Sequence, residues 1–152
     1  MHAGPAAIRR SKTALSAIGL AIAAYLVFAE PSGLNGFSTS LLFCPSHSAL
    51  GVVNCTAVLT SSYSYVFGMP LAGIATAWFL ALLLIAILQR GNATLGMLSA
   101  YLNIAGVFAV AYSAYAMYEI GKICIYCSGI DIILVALCAL GIVEARAILR
   151  SM

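Results

Sequence analysis

MPLAGIATAWFLALLLIAILQ, residues 69–89, carries no formal charge over its whole length. An apolar helix of that length spans the hydrocarbon core of a bilayer. Pro70 fits the first turn of such a helix, where no amide partner is lost. Reading outward gives three more segments of the same kind. TALSAIGLAIAAYLVFA fills 13–29, at the lower length limit for a span. The charge-free stretch 91–118 holds a third span, from about 95 to 118, in which Tyr112, Tyr115 and Tyr118 gather near one end as interface anchors would. A fourth runs from about 123 to 143. The turn at 90–92 and the connection at 119–122 are short. Residues 30–68 form a long loop that opens on the turn-rich EPSGLNG.

Composition agrees. Apolar types make up 64% of the 152 residues and charged types 7%, more apolar surface than a small soluble domain can hide. The predicted fold is all-α: a polytopic membrane protein whose four-helix transmembrane bundle is a single domain, 1–152. Its long loop carries a short cap helix near 54–62, started by Asn54, with Val58 and Leu59 dipping toward the apolar interior. The alternative for 13–29 is a signal peptide, since a basic segment precedes it. Cleavage there leaves three spans.

Four spans put both termini on one side. That side collects Arg9, Arg10, Lys12, Arg90, Arg146 and Arg150, and the other holds Lys122 alone, out of seven basic residues. The bias places the termini in the cytoplasm and the 30–68 loop outside, in a multi-pass cell-membrane protein. The net charge of +3 is no nucleic-acid signal, because the basic residues are scattered in ones and twos.

On this topology Cys44 and Cys55 lie in the outer loop, and Cys124 and Cys127 lie at the outer end of the last span, as KICIYCSG. All four face the compartment where disulfides persist. A Cys-x-x-Cys at a helix start lowers a thiol pKa, and two dithiol pairs within reach of each other suit thiol–disulfide exchange. Four thiolates also describe a zinc or iron–sulfur site, but an oxidising compartment disfavours it and ten residues separate the loop pair. Two purely structural disulfides are the non-enzymatic alternative. Cys138, eleven residues past Cys127, reads as a packing residue. His47 reads as an exposed loop residue or as a group assisting the Cys44 thiolate.

Three elements together resemble the vitamin K epoxide reductase family, in its small prokaryotic form without a fused thioredoxin domain. They are the loop pair Cys44 and Cys55, the stretch CTAVLTSSYSYVFGMPLAGIATAWF at 55–79, and CIYC at the mouth of the last helix. The order matters, since the other quinone-linked disulfide-forming family places Cys-x-x-Cys in its first outer loop. The resemblance implies a quinone-dependent thiol–disulfide oxidoreductase with Cys44, Cys55, Cys124 and Cys127 as catalytic residues. In that relay Cys44 meets an extracytoplasmic thioredoxin-like partner, Cys55 exchanges with Cys124, and Cys127 faces a membrane quinone of menaquinone or ubiquinone type. No metal is implied. Leu59 and Ser61 match cap positions over the quinone.

Two positions depart from the animal members. Their tyrosine after the final pair is Asp131 here, and the asparagine on their second span has no clear match, with Met69 the nearest candidate. Both departures favour disulfide formation over the alternative, reduction of a vitamin K-type quinone or its epoxide. Helical spacing independently puts Asp131 on the stripe of Cys127, roughly 6 Å deeper. An ionisable group there is expected to face a cavity, where it hydrogen-bonds or protonates the quinone, or to reach water or Lys122.

Overall fold

The computed structural model describes residues 5–29, 53–89 and 92–151. Cys44 and His47 lie outside them, as does the turn residue Arg90. Four long helices form the bundle: α1 (Pro5–Ala29), α3 (Leu71–Leu88), α4 (Ala93–Ile120) and α5 (Ile125–Ser151). Each contains a stretch long and apolar enough to cross a membrane: Ala6–Phe28, Leu71–Leu88, Thr94–Ile120 and Ile125–Leu149. Between α1 and α3 lies the five-residue cap helix α2, Cys55–Leu59. The all-α membrane bundle with a cap helix is therefore the fold.

The cap helix follows the sequence closely. Asn54 is its N-cap, and its side-chain oxygen accepts from the Ala57 amide at 3.0 Å, satisfying one of the amides that a helix start leaves unpaired. Val58 and Leu59 are buried beneath it.

The ends of the long helices differ from the apolar runs. α1 begins at Pro5, well before residue 13, so Arg9, Arg10 and Lys12 are helical. α5 continues to Ser151 and carries Glu144 and Arg146 within it. α4 runs through Glu119 and Ile120 and stops at Gly121, whose left-handed φ of 66° suits a helix C-terminus. Pro70 is not in the first turn of α3. It precedes the helix in extended conformation and pairs in a two-residue ribbon, β1 (Tyr65–Val66) against β2 (Met69–Pro70). Phe67 and Gly68, both with positive φ, turn that ribbon, as tight hairpins require.

α1 packs against α3 and α5, and α5 against α4, whereas α3 and α4 meet much less. Close approach of α1 and α3 needs Gly19, because a Cβ there would run into the Phe79 ring. Such small residues let helices approach where lipid offers no hydrophobic drive to association. Ala23, Leu26, Phe79, Leu82 and Leu137 fill the resulting core. α1 thus supplies core residues of the bundle, as a span does.

At the end of the bundle opposite the cap helix, Lys12 is 3% exposed and pairs with Glu144 at 2.5 Å. Its ammonium also donates to Ser99 at 2.5 Å, and Gln89 donates to the other Glu144 oxygen. One network thus joins α1, α3, α4 and α5. Removing one partner strands a buried charge, a cost of about 3–5 kcal/mol, whereas removing both charges together is far milder. Lys12→Met is therefore expected to lower the unfolding midpoint in detergent sharply, and the double change Lys12→Met, Glu144→Gln to recover most of it. Equal loss in the single and double variants would show that the pair contributes nothing specific.

Candidate functional site

The cysteine-bearing segments meet at the capped end. Val53 bridges Ile123 in parallel register, and the Asn54 amide donates to the Ile123 carbonyl at 3.1 Å. This clamp sets Cys55, which opens α2, beside Cys124, which immediately precedes α5. Both side chains are fully buried in one apolar cluster. Cys55 is in a disulfide, while Cys124, Cys127 and Cys138 are free thiols. The site therefore holds a disulfide sulfur and a free thiol in adjacent segments.

Cys124 occupies the position before a helix start that serine or threonine usually takes. Its carbonyl accepts from the Ser128 amide at 2.9 Å, and its sulfur from the Cys127 amide at 3.3 Å. The Cys127 thiol hydrogen-bonds the same sulfur, and with the Cys127 and Tyr126 amides it holds the Cys124 thiol below its ordinary pKa against the opposing effect of burial. Cys124 is thus the readier nucleophile of the pair.

Cys127, three residues on, looks the other way. It lines a cavity of about 230 Å³ that occupies the space left where α3 and α4 part. Leu59 and Ser61 roof the cavity from the cap segment, Trp78 and Phe79 come from α3, and Asp131 and Leu134 continue the Cys127 stripe on α5. On α4 the wall is a series of small residues, Gly106, Ala109, Ser113 and Ala116. Asp131 accepts from the Ser113 hydroxyl at 2.9 Å, which anchors its carboxyl group inside the bundle. Ser61 donates to the Val58 carbonyl at 2.7 Å and so fixes the turn that closes the cap helix.

Of the eight site residues expected from sequence, the structure gathers Leu59, Ser61, Cys127 and Asp131 around this cavity and places Cys55 and Cys124 just behind it. Met69 is not among the lining residues; it is 56% exposed on β2. Cys44 is outside the described residues. Among those residues, no three His, Cys, Asp or Glu side chains cluster as metal ligands. Cys138 does not line the cavity. Tyr112 and Tyr115, expected only as interface anchors, bind the cap segment: Tyr112 donates to the Tyr63 carbonyl at 3.0 Å, and the Tyr115 ring meets Tyr63 edge-on.

The sequence reading missed Trp78 and Ser113. Ser113 carried a usable signal, since Gly106, Ala109, Ser113 and Ala116 recur at helical spacing and leave a groove on one face.

A family model described as the vitamin K epoxide reductase family matches residues 12–142. The chain belongs to the vitamin K epoxide reductase family. The match reaches into all four long helices, and the family implies a membrane oxidoreductase of the disulfide and quinone class. Comparison with curated proteins and with solved structures returned no match. The cavity's chemistry fits the quinone associated with this vitamin K epoxide reductase fold. Its wall is mainly apolar, a cysteine opens onto it, and a carboxyl group and a buried indole N–H offer polar contacts. Its volume lies below the ~300 Å³ of the smallest drug-sized sites, a scale suited to a ring headgroup.

Proposed function

We propose that the protein oxidises a thioredoxin-like partner outside the cytoplasm and passes the electrons to a membrane quinone, so supporting disulfide formation. The observation that carries this reading is the division of labour among the cysteines: Cys55 and Cys124 are buried in one cluster in adjacent segments, and Cys127 alone of the four described cysteines lines the apolar cavity. The basic bias of the sequence orients the site, with Arg9, Arg10, Lys12, Arg90, Arg146 and Arg150 cytoplasmic and Lys122 outside.

In this scheme a disulfide between Cys44 and Cys55 accepts two electrons from the partner, whose two thiols become a disulfide. The Cys55 thiolate then attacks Cys124 of an oxidised Cys124–Cys127 pair. That attack forms a Cys55–Cys124 bond and releases the Cys127 thiolate. Cys44 attacks Cys55, restores the loop disulfide and leaves Cys124 and Cys127 reduced. Bound in the cavity, a quinone supplies the acceptor for two electrons and two protons. The chain's task there is to hold Cys127 at the wall, exclude water with the Leu59 and Ser61 roof, and keep the Asp131 carboxyl group near the acceptor. The lowered Cys124 pKa suits it both as attacking and as leaving thiolate.

Reconstitution tests the proposal. Purified protein, a reduced thioredoxin-like protein and a short-chain quinone are expected to consume two thiols per quinone reduced, with no quinone loss when the partner is omitted. Oxidation of the partner without any change in quinone absorbance would overturn it.

A further inference from the structure

One residue of the cavity wall carries a buried donor with no partner among the described residues. Trp78 is the chain's only tryptophan, and its indole nitrogen is buried with no hydrogen-bond partner among the described residues. Its ring lies against Gly106 of α4, where a Cβ would come within 3.8 Å of the indole nitrogen. Both residues belong to the cavity wall. The serine donors of the wall are committed: the Ser61 and Ser64 hydroxyls both donate to the Val58 carbonyl, and the Ser113 hydroxyl donates to Asp131. A buried donor left unmade is costly and uncommon in a native fold, and it calls for a partner.

Position narrows what that partner is. Gly106 and Ser113 are seven residues apart on α4, so the indole nitrogen and the Ser113–Asp131 pair are separated along that helix by roughly 10 Å. An apolar cavity whose wall carries an unpaired indole N–H and, farther along, a carboxyl group matches a flat ring bearing one acceptor oxygen at each end. The geometry points to Trp78 as a positioning residue that donates its indole N–H to one carbonyl oxygen of a para-quinone, setting the ring's orientation between α3 and α4 while the opposite oxygen faces Asp131. This rests on the quinone reading above and adds to it the residue that orients the ring.

The test uses the full-length protein and a short-chain para-quinone. Ultraviolet resonance Raman of the lone tryptophan reports whether its N–H is hydrogen-bonded, with no substitution needed. The N–H mode is expected to read free in the quinone-free protein and hydrogen-bonded after quinone is added. In parallel, infrared difference spectra with carbonyl-labelled quinone are expected to show one lowered carbonyl stretch in the parent that returns toward the unbound value in Trp78→Phe. Quinone affinity in that variant is expected to fall about tenfold, in line with loss of one buried hydrogen bond. Quinone binding with an unchanged N–H mode, or an N–H that already reads hydrogen-bonded without quinone, overturns the role of Trp78 and leaves the quinone reading standing. No quinone binding by the parent protein overturns both.

Discussion

Cys127→Ala is expected to abolish quinone reduction altogether while leaving the first thiol exchange intact. The reason lies in where the three free thiols sit. Cys127 is on the cavity wall, Cys124 is fully buried behind it beside the Cys55 segment, and Cys138 does not line the cavity. Without Cys127 the Cys124 thiolate still has the Cys55 sulfur within the same cluster, and its attack there forms a Cys55–Cys124 bond and frees the other loop sulfur. Only the freed loop thiol can then reverse that step, since no neighbouring thiol on α5 remains to resolve the Cys124 sulfur. Non-reducing peptide mapping of the variant should therefore show a Cys55–Cys124 crosslink, and reconstituted turnover should drop to the background rate. Surviving turnover would reassign the terminal thiol. Cys138→Ala is the matched control on the same helix: it should cost packing of roughly 1–3 kcal/mol at most and keep the parent rate.

Much of this arrangement is legible in the residues themselves because it depends on short-range rules. Uncharged runs fix the spans, Asn54 announces the cap helix, and Cys-x-x-Cys before an apolar run places two thiols at a helix start. The 3.6-residue period then puts Asp131 under Cys127. What the sequence hides is set by contacts between distant segments. Lys12 looks like part of a basic tail, yet α1 begins before it, and a carboxylate 132 positions away on α5 completes the pair. Met69 is the nearest candidate in the sequence for a ligand-binding position that has no clear match, but the Tyr65–Pro70 ribbon leaves it exposed before α3 begins. The cavity itself is a failure of two helices to touch, and no single helix encodes it. Only the small residues along one face of α4, taken with the lone tryptophan of α3, hint at it.

The second large effect is expected at Asp131. This carboxyl group lies within a membrane span, on the cavity wall, four residues from Cys127 and held by Ser113. Ionisable groups at such depth are costly and persist where they serve a cavity. Quinone reduction takes up two protons, the wall serines Ser61, Ser64 and Ser113 are already committed as donors, and Asp131 is the wall's carboxyl group on the Cys127 stripe. Asp131 is thus placed to deliver a proton to the acceptor end nearest Cys127. Asp131→Asn keeps the shape and can still accept from Ser113 but carries no transferable proton, whereas Asp131→Ala loses both. A proton carrier predicts that both variants slow quinone reduction by about a hundredfold, within the usual range for a positioned general acid. Exchange between Cys55 and Cys124 should stay fast in both, because that step occurs behind the cavity. The pH profile gives a separate reading. If the protonated carboxyl is the active form, the parent rate falls as pH rises through its pKa, and the residual rate of Asp131→Asn lacks that fall. Steady-state reduction by Asp131→Asn within about twofold of the parent from roughly pH 5 to pH 8 would exclude an essential proton relay. The Ser113–Asp131 hydrogen bond would then be a strut holding α4 to α5 at the cavity's edge, and Asp131→Ala alone would be impaired, through loss of that strut.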